Sequence, residues 1–556
     1  MRLFDMLRAK TTPTDPDPEP VYLGTIPHRS RGLDVRLRRY RDEACGAFFV
    51  AESGGRYFVL GAGFATEHPW SASRIADAGE LERLVSEHLS AAANGRAYPA
   101  PAAAPRAAGL AFERRFSDDA GEPVGFPGWK AFTAEIPRKG GGFAYRQEGV
   151  EAPADWSQQS VDVVANKYFW GDQDKGGDPD DGGRECSVGQ LFGRVVCQVA
   201  AWAARDGYAA DPGAFRDELA ALCLRQYAAF NSPVWFNVGL SYAYGLKGSA
   251  QGWVWDQSAG AAVPCGDSFA RPQASACFIQ SVEDDMASIM RLAASEVMLF
   301  KAGSGTGTDL TPLRSSREKV TGGGAASGPV SFMRIYDAGA SVIKSGGKTR
   351  RAAKMQTLKD CHPDILEFIE CKPKEDAKAR ALIAAGYSDG MTGSPDEAYS
   401  SVFFQNSNLS VRCSDAFLGA AESGGEWVTR EVTTGKPSVS YDASWLLDRI
   451  AAGAWACGDP CMQYEDTIQR WHTVPNTAPI NSSNPCVEYM HIDDSACNLA
   501  SLNLIRFRKA DGSFDADGFR ASVRLLIVAQ DALVDNASYP TGKIAENSHR
   551  FRPLGL

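Results

Sequence analysis

Apolar residues recur along this 556-residue chain in two rhythms, one of two residues and one of about 3.6. Near the front the two-residue rhythm covers Leu33 to Tyr40, Gly46 to Glu52 and Arg56 to Gly61, which predicts three short strands. Leu81, Leu84, Val85 and Leu89 then share one helical face. Residues 21–95 therefore read as a small, separate α/β unit. Ahead of it, residues 1–20 read as a disordered lead-in, rich in Thr, Asp and Pro from Thr11 to Pro20. Behind it, residues 96–110 form an Ala/Pro linker with Pro99, Pro101 and Pro105.

The second rhythm dominates residues 111–230, which predict a mostly helical region. Its first part, to about Ala154, is irregular. Val188, Leu191, Phe192, Val195, Val196, Val199 and Trp202 then line one amphipathic helix, and Phe215, Leu219, Leu222 and Cys223 another. The acidic loop from Gly171 to Gly183 lacks the glycine-then-glutamate register of a calcium loop and reads as solvated. From Asn231 the rhythms alternate. Strands are predicted at Ala276–Ser281, Ala353–Thr357 and Asn408–Arg412. Helices are predicted at Asp285–Lys301, Phe332–Ala340, Pro363–Cys371 and Asp517–Leu533, with glycine-rich turns between elements. Such repetition favours parallel βαβ units over residues 231–556, with sites at strand ends.

Composition narrows the function. A net charge of -10 argues against a dedicated nucleic-acid binder. No apolar run reaches the roughly 18 residues of a membrane span, and Met1 to Lys10 does not read as a signal peptide. Thirteen cysteines in such a context read as cytoplasmic thiols, most of them buried and a minority redox-active or metal-bound.

The chemistry concentrates in Asn481 to Leu504, N-S-S-N-P-C-V-E-Y-M-H-I-D-D-S-A-C-N-L-A-S-L-N-L. In an extended or tip-like loop, residues two apart point the same way, so Asn484, Cys486 and Glu488 can converge: an amide, a thiol and a carboxylate. Lys301 to Asp309 (K-A-G-S-G-T-G-T-D) reads either as a phosphate-approaching loop or as a plain turn. Lys344 to Lys354 (K-S-G-G-K-T-R-R-A-A-K) reads either as a loop closing on phosphate or as a solvated basic loop. Cys277 and Cys497, each by itself, are small core residues. Cys457, Cys461, Cys486 and Cys497 have no zinc-module spacing, and the seven histidines no ligand spacing, so no metal ligands are assigned.

Taken in order, five motifs resemble the catalytic subunit of ribonucleotide reductase: A-S-A-C-F-I at 274–279, the G-S-G-T-G turn, the G-G-K-T-R-R loop, N-P-C-V-E at 484–488 and A-C-N-L-A-S-L-N-L at 496–504. With N-S-P-V-W-F-N-V-G-L at 231–240, the pattern is most similar to the adenosylcobalamin-dependent class II enzymes. The resemblance runs from about Ala111 onward. It implies a ten-stranded α/β barrel built from two parallel five-stranded halves, with a finger loop through the middle. Only about the first half and the finger loop are expected here, behind a helical N-terminal region and the small α/β unit.

The resemblance also implies roles. Cys486 would become the thiyl radical, Glu488 would take the 3′-hydroxyl proton and Asn484 would hold the sugar hydroxyls. Cys277 and Cys497 would be the redox pair that ends as a disulfide, brought together by neighbouring strands. Ser232, Ala276, Cys277, Gly305, Asn484, Pro485, Cys486, Val487 and Glu488 match substrate-touching positions. Asp285, Arg314, Lys348, Arg350 and Arg351 match the effector region between subunits of a homodimer. The implied function is radical reduction of ribonucleoside diphosphates to deoxyribonucleotides with adenosylcobalamin, deoxynucleotide effectors and a thioredoxin- or glutaredoxin-type reductant. A class I large subunit and a non-catalytic nucleotide-binding half-protein stay open as alternatives. In the family, Arg552-Pro553-Leu554-Gly555-Leu556 continues into the second half-barrel. Alone, the half-barrel is expected to expose an unpaired strand edge and apolar surface, and so to be poorly soluble or to need its other half. Val21 to Gly95 shows no ATP-cone-like pattern, so dATP control of total activity is not expected.

Overall fold

The computed structural model describes residues 109–138, 141–172, 183–343, 352–390, 394 and 396–556, together with the backbone of four strands in residues 21–61. The chain divides into two compact units, 1–110 with 127–193, and 111–126 with 194–556.

In the first unit, β1 (Val21–Ser30), β2 (Leu33–Asp42), β3 (Gly46–Ser53) and β4 (Arg56–Gly61) form an antiparallel meander in that order. β2, β3 and β4 fall on the expected strands. β1 was hidden because Gly24 and Pro27 interrupt its alternation; Gly24 lies at a register shift, and an edge position tolerates the proline. The expected helix through Leu89, the lead-in and nearly all of the linker lie outside the described residues. The stretch read as irregular contains a hairpin, β5 (Trp129–Pro137) with β6 (Phe143–Pro153). Two register shifts in it break the two-residue rhythm on which strand reading depends. α1 (Gln158–Lys167) follows, capped by the Ser157 hydroxyl.

Both predicted amphipathic helices form, as α2 (Val188–Arg205) and α3 (Pro212–Leu224), and their predicted apolar faces are buried. After β7 (Ala228–Phe230) and the short helices α4 (Ser232–Asn237) and α5 (Leu240–Tyr244) comes a small hairpin, β8 (Trp253–Asp256) with β9 (Ala261–Pro264). The main sheet then begins: β10 (Cys277–Gln280), α6 (Met286–Ala302), β11 (Gly305–Asp309), α7 (Pro329–Val342), β12 (Ala353–Lys359), α8 (Ile365–Ala384) and β13 (Ser407–Cys413). Beyond it lie α9 (Asp415–Glu422), the hairpin β14 (Glu426–Arg430) with β15 (Pro437–Asp442), α10 (Ala443–Cys457), β16 (Cys461–Tyr464) and α11 (Glu465–Arg470). β17 (Ser495–Leu502), α12 (Ala516–Asn536), α13 (Gly542–Phe551) and β18 (Leu554–Gly555) complete it.

The sheet order is β16-β13-β12-β11-β10-β17-β18, with β7 also pairing β17. β10, β11, β12, β13 and β16 are parallel, as the βαβ pattern predicted. β17 runs antiparallel to β10, and β18 runs parallel to β17. The curled half-barrel thus carries five parallel strands and the first members of an oppositely directed set. The alternation of β-residues gives the sheet two faces. On its outer face Leu358, Leu409, Val411 and Cys413 join one core with Ile289, Leu292, Met333, Ile365, Phe368, Phe417, Leu446 and Ile450 of the helices.

Three elements depart from the sequence reading. The glycine turn is in fact a helix cap followed by a strand. Gly303, at φ +91°, closes α6, and residues 305–309 then pair with β10 and β12. Two flanking ladders override the poor strand propensity of glycine. α8 continues through Pro373 to Ala384, beyond the predicted end at Cys371. Pro373 lies against α10 at Gly453, where an ideal Cβ would stand 3.3 Å from the proline ring. Lys354, read as part of a basic loop, is fully buried on the outer face of β12. It pairs there with the equally buried Glu296 of α6 and sits 4.3 Å from the Tyr336 ring centroid.

Breaking one partner of such a buried pair strands a charge. We expect Glu296→Ala or Lys354→Ala to destabilise the fold by about 3–5 kcal/mol, and the double replacement Glu296→Leu with Lys354→Met to recover most of that loss. Urea unfolding of the three variants checks this.

Candidate active site

The segment Ile480 to Pro485 runs along the inner face of the half-barrel, and four strands hold it. Arg412 Nη2 of β13 donates to the Ile480 carbonyl at 2.7 Å. Thr357 Oγ1 of β12 lies 3.4 Å from the Asn481 carbonyl and 3.3 Å from Ser482 Oγ. Gln463 Nε2 of β16 donates to Ser483 Oγ at 2.9 Å. On β11 the contact is backbone to backbone: an ideal Cβ on Gly307 would stand 1.6 Å from the Ser483 oxygen, and one on Gly305 2.9 Å from the Pro485 ring. Those glycines therefore serve the seating of this finger, and this is the packing reason for the G-S-G-T-G run.

The finger turns at its tip. Val487 N donates to the Asn484 carbonyl at 3.2 Å, which closes a four-residue turn with Pro485 and Cys486 at its centre. Asn484 N then bonds the Tyr489 carbonyl at 3.3 Å, and Ser483 bridges Met490. Val487 has φ +69°, in the left-handed region. A β-branched residue there costs roughly 1–2 kcal/mol, so the surrounding bonds hold the tip against strain. Asn484 and Tyr489 are buried, whereas Cys486 and Glu488 are exposed.

Beneath the tip lies the cysteine pair. Cys277 and Cys497 stand directly opposite each other on antiparallel neighbours β10 and β17. Residues so placed have Cα atoms about 4.5–5.5 Å apart, inside the roughly 4.4–6.8 Å span of disulfides. Cys277 Sγ donates to Glu488 Oε1 at 3.4 Å and accepts from Asn484 Nδ2 at 3.0 Å. Asn484 Oδ1 accepts from Tyr489 N at 3.0 Å, which fixes the orientation of the amide. Tyr489 packs with Ala276, Cys277, Ile279 and Cys497, and its hydroxyl donates to Ser495 Oγ at 2.7 Å. Burial raises the Cys277 thiol well above its ordinary range, and the nearby Glu488 and Cys497 raise it further. Burial and the Glu488 charge likewise push Cys497 up to about 12. Both sulfurs are therefore held as thiols.

Most of the residues expected at the site come together. Ala276 N donates to the Cys497 carbonyl at 3.2 Å, and Gly305 N donates to the Ala276 carbonyl at 2.8 Å. Ser232 opens α4 next to Asn231, whose side chain bonds the Ala274 carbonyl at 2.9 Å and whose Oδ1 accepts from Leu499 N at 3.1 Å. Asp285 and Arg314 lie elsewhere, at the start of α6. Asp285 caps that helix through Ser288 N at 3.0 Å, and Arg314 pairs with Asp284 at 2.6 Å. Lys348, Arg350 and Arg351 lie outside the described residues. The sequence reading missed Thr357, Asn408, Arg412, Gln463 and Tyr489. The spacing of 408, 410 and 412 on one strand was the available signal for two of them. Among the described residues, no three metal-ligating side chains converge, and no helix is long and apolar enough to cross a membrane.

This arrangement supports two-electron chemistry: a buried dithiol, a carboxylate bonded to one of its sulfurs, and an exposed thiol on a rigid turn. Mild oxidation with a disulfide reagent is expected to close Cys277 to Cys497, seen as a linked peptide pair by mass spectrometry and lost in Cys497→Ser. Alkylation near pH 9 is expected to mark Cys486 well before Cys277. Glu488→Gln removes a negative charge that raises the Cys277 pKa, so it is expected to speed Cys277 labelling at fixed pH.

The chain is similar to known proteins along most of its described length. Residues 275–556 match the ribonucleotide reductase barrel domain, and residues 130–226 match the class II vitamin B12-dependent ribonucleotide reductase N-terminal model. A vitamin B12-dependent ribonucleotide reductase of Rhodopirellula baltica is 52% identical over 457 residues, 81% of this chain and 43% of that protein. One of Streptomyces coelicolor is 42% identical over 456 residues, again 81% of this chain and 43% of the relative. A vitamin B12-dependent ribonucleoside-diphosphate reductase of Mycobacterium tuberculosis is 35% identical over 281 residues, 50% of this chain and 37% of that protein. The chain thus spans less than half the length of these relatives. The barrel-domain match covers half of the chain, so this chain belongs to the ribonucleotide reductase family, in its class II, vitamin B12-dependent branch.

Proposed function

We propose that this chain supplies the thiol centre of an adenosylcobalamin-dependent reductase that converts ribonucleoside diphosphates to 2′-deoxyribonucleoside diphosphates. The observation that carries the reading is the Cys277–Cys497 register pair, with Glu488 and Asn484 both bonded to Cys277 beside the exposed Cys486. A diphosphate substrate is favoured by the similarity to the Mycobacterium ribonucleoside-diphosphate reductase.

An exposed sulfur on a braced turn fits the reacting end of the cofactor, and among the described residues Cys486 alone is assigned to meet it. When bound, adenosylcobalamin supplies the radical that removes the hydrogen atom of the Cys486 thiol. The Cys486 sulfur then takes the 3′-hydrogen of the ribose, an exchange between bonds of similar strength. Glu488 accepts the 3′-hydroxyl proton, a general-base contribution of about 10²–10⁴-fold. Asn484, oriented by Tyr489 N, holds the sugar hydroxyls. The 2′-hydroxyl leaves as water, Cys277 and Cys497 give two electrons and two protons, and a disulfide forms between them. Cys486 then gives the same hydrogen atom back to the 3′-carbon and is left as the thiyl radical with which the cycle began. The sum is ribonucleotide plus dithiol to deoxyribonucleotide, water and disulfide. Elevated thiol pKa values suit this role, because the pair delivers hydrogen as well as electrons.

A thioredoxin- or glutaredoxin-type dithiol in the cytoplasm resets the pair. Deoxynucleotide effectors act at Asp285, Arg314 and the loop of Lys348, Arg350 and Arg351, between the subunits of a homodimer. The rest of the barrel comes from residues corresponding to the remainder of the longer relatives.

Anaerobic turnover with a ribonucleoside diphosphate, adenosylcobalamin and a dithiol tests this reading, with that remainder supplied. Deoxynucleotide is expected, and Cys486→Ser is expected to abolish it. Product that persists in Cys486→Ser would overturn the assignment. Effector binding without any turnover would favour a non-catalytic nucleotide-binding protein, and turnover that needs a radical-bearing partner protein would favour the class I reading.

A further inference from the structure

The turn that carries Cys486 has one soft spot. In a four-residue turn, the peptide between the two central residues can rotate by about 180°, which interconverts the type I and type II forms. Here that peptide joins Pro485 to Cys486. Its rotation would re-aim the Cys486 side chain while leaving the Asn484–Val487 closing bond in place. Cys486 is not among the positive-φ residues, so the turn is in the first form, and the left-handed residue is Val487. A type I turn followed by a left-handed residue usually places glycine there. Valine at that position leaves the tip strained, so its geometry is kept only by the contacts around it.

Two contacts oppose that rotation. The Pro485 ring rests on Gly305 of β11, where an ideal Cβ would stand 2.9 Å from it. The Pro485 carbonyl, the oxygen of the rotatable peptide itself, accepts a hydrogen bond from Asn408 Nδ2 at 2.9 Å. Asn408 is on the inner face of β13, beside Met355 of β12, and so belongs to the rigid sheet. We propose that Asn408 is a positioning residue for Cys486, locking the Pro485–Cys486 peptide so that the sulfur keeps one direction. The proposal rests on the reading of Cys486 as the radical-carrying thiol, and it adds a residue that does not itself touch substrate.

The test uses the full-length protein. Asn408→Asp keeps the side-chain shape but removes the N–H and sets a carboxylate against the carbonyl. Asn408→His restores a ring N–H at similar reach. With adenosylcobalamin and a ribonucleoside diphosphate, Asn408→Asp is expected to lose about 100-fold in kcat, as misplacement of a reacting atom does, with KM near wild type. Asn408→His is expected to regain much of the rate. In cofactor-free protein, peptide-resolved alkylation is expected to change at Cys486 in Asn408→Asp and to stay unchanged at Cys277. Wild-type kcat in Asn408→Asp would overturn the proposal. So would a rate loss that tracks a fall in melting temperature and is not rescued by histidine. If the wild-type protein makes no deoxynucleotide, the reading of Cys486 fails. The alkylation comparison then still decides positioning, since an unchanged Cys486 rate overturns it.

Discussion

The close approach of the finger to β11 sets the rest of the site. A carbonyl oxygen of Ser483 occupies the space that a Cβ of residue 307 would need, and the Pro485 ring lies where a Cβ of residue 305 would press. Only glycine permits that separation. Because the finger lies this deep, Thr357, Arg412 and Gln463 on neighbouring strands reach it with ordinary hydrogen bonds. The depth also brings Asn484 and Glu488 onto the sulfur of Cys277. A side chain at position 305 or 307 would lift the finger and separate the exposed thiol from the dithiol beneath it.

The dithiol depends on a different constraint, the reversal of strand direction between β10 and β17. Parallel neighbours place residues in a slanted register, whereas an antiparallel pair sets them directly opposite. The reversal lets two cysteines 220 positions apart face each other as Cys277 and Cys497. Their surroundings are nearly dry, and burial holds both as thiols. The one nearby carboxylate, Glu488, is exposed on the finger rather than fixed in the sheet. The site is therefore divided into a buried, protonated floor and a strained tip that carries the exposed Cys486 and Glu488.

The helices obey the same economy of contact. Their apolar faces cover the outer side of the sheet in one core. Two polar pairs on that side join neighbouring elements, Lys354 with Glu296 and Gln280 Nε2 with Thr306 Oγ1 at 2.8 Å. The first joins α6 to β12 and is costly to break from one side; the second joins the strands β10 and β11.

The sequence by itself determined the alternation of strands and helices after Asn231, the apolar faces of α2 and α3, and the set Asn484, Cys486, Glu488, Cys277 and Cys497. Periodicity records burial one element at a time, and motifs record chemistry that needs particular residue types. It did not disclose the strand at Gly305–Asp309, the burial of Lys354, the passage of α8 through Pro373, or the hairpin of β5 and β6. In the first three, a partner distant in sequence accompanies the departure from local preference: two flanking ladders for the glycines, Glu296 for the lysine, and a glycine on α10 for the proline; in the hairpin, two register shifts break the alternation. The tertiary structure decided that the expected Cys277 and Cys497 pair sits in direct antiparallel register, that Cys486 rides a closed turn, and that Asn408 bonds the Pro485 carbonyl within it. Register and turn geometry depend on which strands become neighbours, and no local pattern encodes that choice.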